Sequence, residues 1–175
     1  MRPAAPRVVE CAAGLRLAAF DVDGVMTDGR IVLGPAGEEY KAFHVRDGHG
    51  LKALAGAGVT VAVITGRHSP VVAARMRELG IVHLHQGVAD KGACLRALLA
   101  TCGVDAAAAL YMGDDIPDLP ALQAVGLPCA VADAVPEVLA AATWVSAARG
   151  GCGAVREICE FVLAAKRGAG VSAPC

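Results

Sequence analysis

The sequence predicts an α/β protein of Rossmann-like type, a parallel sheet with helices on both faces. Three observations carry this. Short apolar runs recur at 17–21, 59–64, 81–84, 109–112, 127–131 and 143–145. Each is too short for a helix and reads as a buried strand. Segments with helical spacing stand between them, which is the pattern of βαβ units. Polar residues gather where the runs end: Asp21 and Asp23, then Thr65, then Asp114 and Asp115. Open α/β sheets place ligands at the carboxyl ends of their strands.

Taken in order, residues 1–16 are rich in Pro and Ala and are expected to form a flexible N-terminal segment. Residues 17–166 make one domain, and residues 167–175 a tail with no core pattern. The strand at 17–21 turns on Asp23-Gly24. Strand-like runs at 31–33 and 40–43 flank Gly34-Pro35-Ala36-Gly37, which predicts a β-hairpin insertion near residues 31–43. Leu51 and Leu54 set a helix over 47–57, stopped by Gly58. The strand at 59–64 ends in Thr65-Gly66-Arg67, and Ser69-Pro70 opens a helix to residue 79. A strand at 81–84 leads to a helix over 91–100. The strand at 109–112 ends in Gly113-Asp114-Asp115, before a short helix over 117–125. Strands at 127–131 and 143–145 precede a last helix over 154–166.

Bulk composition narrows the function. The 175 residues carry a net charge of −1 and only 3% aromatics, which argues against a nucleic-acid partner. No 18-residue apolar stretch exists, so no membrane span is expected. The seven cysteines are irregularly spaced and include no Cys-x-x-Cys. That pattern suits neither zinc nor a disulfide framework and points to a reducing, cytoplasmic setting. Glu10 and Arg16 interrupt any signal-peptide core.

Side chains alternate along an extended chain, so Asp21 and Asp23 can enter one pocket. Like charges there need a shared proton or a cation. Asp21, Asp23 and Asp114 offer oxygen ligands for a hard cation, and Mg²⁺ suits them because it leaves room for phosphate. Lys91 supplies a point charge, and Thr65 with the following backbone N–H groups supplies donors to a phosphoryl group. A carboxylate nucleophile then splits one displacement into two through an aspartyl-phosphate. The second aspartate can protonate the leaving alkoxide, which favours phosphate esters over carbon–halogen bonds.

Plainer readings apply elsewhere. Turn chemistry accounts for Asp28. Asp115 either supports a metal ligand or caps the next helix, and the metal site is favoured. The pairs His44/His49 and His83/His85 read as surface histidines rather than zinc ligands. Gly92 beside Lys91 does not make a Walker loop.

The motifs Asp21-x-Asp23-Gly24-x-x-Thr27, Thr65-Gly66-Arg67, Lys91 and Gly113-Asp114-Asp115-x-x-Asp118 resemble, in order, those of the haloacid-dehalogenase-like phosphatases. The segments 21–29, 43–50 and 150–157 resemble the branch acting on 3-deoxy-D-manno-octulosonate (Kdo) 8-phosphate in lipopolysaccharide synthesis. The resemblance implies Asp21 as nucleophile and Asp23 as acid/base, with Thr65 and Lys91 assisting. It implies Mg²⁺ on Asp21, the Asp23 backbone carbonyl and Asp114. It implies substrate contacts at His44, Val45, Arg46, Asp47, Gly48, Lys52, Gly66, Arg67, Arg75 and Lys91. Asp118 is expected to be structural support. Position 52 is Lys where many relatives carry Arg, which replaces a bidentate grip by a point charge. Position 117 is Pro where many carry a polar residue.

The stretches 29–64 and 92–113 are filled by a hairpin, helices and strands, so the domain is expected to be capless. The resemblance implies a homotetramer with hairpins pairing between copies and a small phosphosugar as substrate. Two rival readings are a phosphatase for a sialic-acid-type nonulosonate 9-phosphate and a non-catalytic assembly module.

Overall fold

Leu17–Phe20, strand β1, stands inside a six-stranded sheet whose register pairs are all parallel. The computed structural model describes residues 5–168. All four β1 side chains are buried, which is why the run is apolar without alternation. An antiparallel hairpin follows, β2 (Val32–Leu33) and β3 (Glu39–Tyr40), apart from the main sheet. Then come α2 (Val45–Gly56), β4 (Thr60–Ile64), α3 (Pro70–Leu79), β5 (His83–His85) and α4 (Lys91–Cys102). The second half runs β6 (Ala109–Gly113), α5 (Leu119–Leu122), β7 (Leu127–Ala130), α6 (Pro136–Ala141), β8 (Trp144–Val145) and α7 (Ala154–Lys166).

The strand order is β5-β4-β1-β6-β7-β8. From β1 the chain moves outward to β4 and β5, then returns to β6 on the other side of β1. Right-handed crossovers put helices of the two halves on opposite faces. The packing agrees: α2 packs on α7 and α3, while α4, α5 and α6 pack together. The reversal of direction between β1 and β6 opens a crevice at their carboxyl ends. Phe20, Tyr111 and Met112 fill the sheet centre and are fully buried. Among the described residues no cap domain interrupts this order.

The structure departs from the expected elements in three places. Of the expected flexible N-terminal segment, residues 1–4 lie outside the described residues, and the rest is not simply loose, because Pro6–Ala13 form a helix, α1. Proline at its start costs no hydrogen bond, and Val8 and Ala12, one turn apart, are buried with α1 against α7. Helix α6 was not anticipated; it also begins with a proline. Asp115 forms a capping box with Asp118, so residues 116–118 make a 3₁₀ turn before α5. Of the expected tail, residues 169–175 lie outside the described residues.

Candidate active site

Asp21 directly follows β1, and its N–H reaches the Met112 carbonyl at 3.0 Å. The extended geometry therefore lasts one residue beyond the strand, and Asp21 enters the crevice. Asp114 follows β6 in the same way. Lys91 opens α4, whose first turn is fixed by Asp90 accepting the Ala93 N–H at 2.8 Å. The Lys91 ammonium lies 2.8 Å from Asp21 Oδ1 and 2.6 Å from Asp118 Oδ1. Asp118 also accepts the Tyr111 phenol at 2.7 Å and the Asp114 and Asp115 N–H groups at 3.0 and 3.3 Å. A wholly buried carboxylate thus fixes the lysine and the loop carrying Asp114. Gly113 leaves the room, since a Cβ there would lie 2.5 Å from the Asp118 Cβ.

Charge is unbalanced in this crevice. Asp21, Asp114 and Asp118 each bring an oxygen within 4.8 Å of the others. Burial, then Asp118, raise Asp21 to about 6 against the pull of Lys91. Burial, then Asp21 and Asp118, raise Asp114 to about 8. Burial opposes the charge of Lys91, but Asp21 and Asp118 outweigh it and raise its pKa. Asp114 Oδ1 is buried without a hydrogen-bond partner among the described residues. An all-oxygen donor set with an unpartnered oxygen and excess negative charge fits a hard divalent cation. Asp118 already holds four donors, so Asp21 and Asp114 are the side chains free to ligate.

Asp21, Asp23, Thr65, Lys91 and Asp114 line one cleft of about 340 Å³ together with Gly66 and Arg67. Thr65 is buried at the end of β4 and accepts the Arg67 N–H at 3.4 Å, leaving its hydroxyl proton available. The Asp23 side chain turns from the acid cluster to an ion pair with Lys41, with Arg67 Nε at 3.9 Å. Gly24 sits at φ 95°, and a Cβ there would lie 2.0 Å from Asp114 Oδ2. Gly150 closes over this loop, where a Cβ would lie 1.7 Å from the Gly24 carbonyl oxygen.

The other expected substrate contacts lie outside this cleft within one chain. Val45 and Arg46 line a separate hollow of about 510 Å³ with His49, Cys152 and Arg156. Asp47 is buried and accepts the Arg156 N–H at 2.8 Å, so it ties α2 to the start of α7. The Arg75 guanidinium lies over Gly48 and Phe43 and pairs with Glu78 at 2.8 Å. His44 Nε2 is 3.5 Å from Arg46, and Lys52 is exposed on α2. Asp115 accepts the Ile116 N–H at 2.7 Å and caps the 3₁₀ turn that follows. Sequence reasoning missed Tyr111, Glu39, Lys41 and Ser69. The one available signal was the Glu39-x-Lys41 spacing, which puts both residues on one side of an extended strand.

The sheet order and this cleft define a haloacid dehalogenase-like hydrolase, and the model of that family matches residues 80–155. The 3-deoxy-D-manno-octulosonate 8-phosphate phosphatase KdsC of Yersinia pestis is 47% identical over 164 residues, 94% of this chain and 88% of its own. A crystal structure of the Y. pestis phosphatase has a TM-score of 0.92 at 45% identity, covering 97% of this chain and 94% of that one. The phosphatase from Moraxella catarrhalis, in complex with magnesium, phosphate and KDO, has a TM-score of 0.90 at 41% identity, covering 91% and 92%. The chain belongs to this 3-deoxy-D-manno-octulosonate 8-phosphate phosphatase family of hydrolases.

Proposed function

We propose that the chain hydrolyses 3-deoxy-D-manno-octulosonate 8-phosphate to Kdo and phosphate, in lipopolysaccharide biosynthesis, through an aspartyl-phosphate. The observation that carries this reading is the convergence of Asp21, Lys91 and Asp114 at the β1/β6 crevice in a chain 47% identical to a phosphatase of that name. Asp21 attacks phosphorus as the P–O bond to the sugar breaks, and Asp23 gives the leaving oxygen its proton. Asp23 then deprotonates water, which releases phosphate and restores Asp21. Lys91, the Thr65 hydroxyl and the Gly66 N–H gather the phosphoryl oxygens, and Arg67 stands at the rim for the sugar.

Asp21, Asp114 and the Asp23 backbone carbonyl would hold Mg²⁺. When bound, the ion supplies the positive charge that lets a carboxylate approach a phosphoryl dianion. The single phosphatase domain takes in residues 17–166 together with α1, whose Val8 and Ala12 are buried in the same core. A homotetramer is supported by the hairpin, which exposes Ile31, Val32, Leu33 and Tyr40. A cytoplasmic setting accords with the irregular cysteines, six of which are free among the described residues. No helix there is long and apolar enough to cross a membrane.

Phosphate release is measured with Mg²⁺ across a panel of sugar phosphates. Kdo 8-phosphate is expected to turn over fastest, EDTA to silence the enzyme, and Asp21→Asn to give no turnover. Faster release from a sialic-acid-type 9-phosphate would move the assignment to that sugar. No release from any ester would leave the assembly-module reading.

A further inference from the structure

Lys41 follows β3 immediately. Alternation turns Glu39 and Lys41 toward the cleft while Tyr40, 56% exposed, faces away. The Lys41 side chain has no exposed surface, which is rare for lysine unless it is paired. Its ammonium pairs with Asp23 Oδ1 and lies 3.3 Å from Glu39 Oε1. Glu39 in turn accepts the hydroxyl of Ser69, the residue that caps α3. One ammonium therefore joins the hairpin, the loop after β1 and the start of α3.

Burying a charge merely to attach a hairpin is a poor solution, because apolar packing does so without the desolvation cost. The partner chosen is the second acid of the cleft. With Oδ1 anchored, Oδ2 remains on the Arg67 side at 3.9 Å and makes no hydrogen bond among the described residues.

We propose that Lys41 is a positioning residue that holds Asp23 so that Oδ2 meets the leaving-group oxygen, an inference that rests on the acid/base role given to Asp23 above. In that step the Asp21–phosphorus bond forms and the phosphorus–sugar oxygen bond breaks. The Oδ2 proton passes to the sugar oxygen, and Asp23 is left as a carboxylate facing Lys41.

The test compares kcat/KM on the alkyl phosphosugar and on 4-nitrophenyl phosphate, whose phenolate departs without a proton. kcat/KM covers the steps up to departure of the leaving group. Lys41→Met is expected to lose on the order of 100-fold on the phosphosugar and less than about tenfold on the aryl ester. Lys41→Arg is expected to recover part of that loss. Asp23→Asn, run alongside, shows the same split if it is the acid. Equal losses on both esters, or none, in a folded Lys41→Met protein overturn the proposal. Asp23→Asn without the split overturns the acid role itself, and the proposal with it. Should Lys41→Met fail to fold, Glu39→Gln carries the test: a smaller split in the same direction supports the proposal, and no split overturns it.

Discussion

Tyr111 reaches Asp118 with its phenol at 2.7 Å, on the same oxygen that takes the Lys91 ammonium. A tyrosine in the middle of the sheet thereby helps to place the cleft's cation. Tyr111→Phe leaves Asp118 with Lys91 and two N–H donors, so a cost of about 1 kcal/mol in stability is expected, with a modest loss of kcat. Asp118→Ala leaves Lys91 with Asp21 alone and strands the Tyr111 phenol and both N–H groups, and a cost of about 3–5 kcal/mol is expected. Denaturant titration and phosphate-release kinetics on both variants check the pair.

The metal-free protein should become less stable as pH rises. Asp21 and Asp114 titrate near 6 and 8 in the folded chain against an ordinary 3.8. The folded state therefore binds more protons than the unfolded one across that window, so its stability falls from about pH 4 to about pH 8 and then levels. Melting temperatures in EDTA measure this contribution as the slope that Asp114→Asn removes. Mg²⁺ should raise the melting temperature most at the alkaline end, where both carboxylates are charged.

Gly150→Ala tests the closure over the nucleophile loop. Its Cβ would overlap the Gly24 carbonyl, which is backbone and cannot rotate away. A loss of about 1–3 kcal/mol is expected from overpacking, with a fall in kcat as Gly24 and the neighbouring Asp23 shift. An unchanged kcat would separate this loop from the chemistry.

Asp47→Ala distinguishes a helix tie from a substrate contact. Loss of the bond to the Arg156 N–H should lower stability by about 1 kcal/mol and leave KM for the phosphosugar unchanged. A raised KM at unchanged stability would restore Asp47 to the substrate site.

The strands carrying Asp21, Thr65 and Asp114 were legible because they are buried on both faces and so read as unbroken apolar runs. Their shared edge followed from the crossover rule, and the register pairs of β1 with β4 and β6 agree. Helices α1 and α6 were not legible, because eight and six residues give too few turns for a period to show. The Lys41–Asp23 pair was hidden for another reason. The two residues are 18 apart, and β3 is only two residues long, so no local pattern links them. The place of Asp47 as a tie between two helices was not legible, because the segment 44–48 is read from resemblance and no local pattern links it to Arg156, 109 residues on. Only the fold brings the start of α7 up to it.

The first and last described helices finish together: the Lys166 ammonium lies 3.3 Å from the Ala13 carbonyl. Pro6 is one length of α1 away, about 12 Å by helix rise. A short flexible linker can therefore splice α7 back to α1 and make the chain circular. New termini cut at the exposed Pro35–Gly37 tip would leave every strand of the main sheet intact, so such a permutant should refold around the same core.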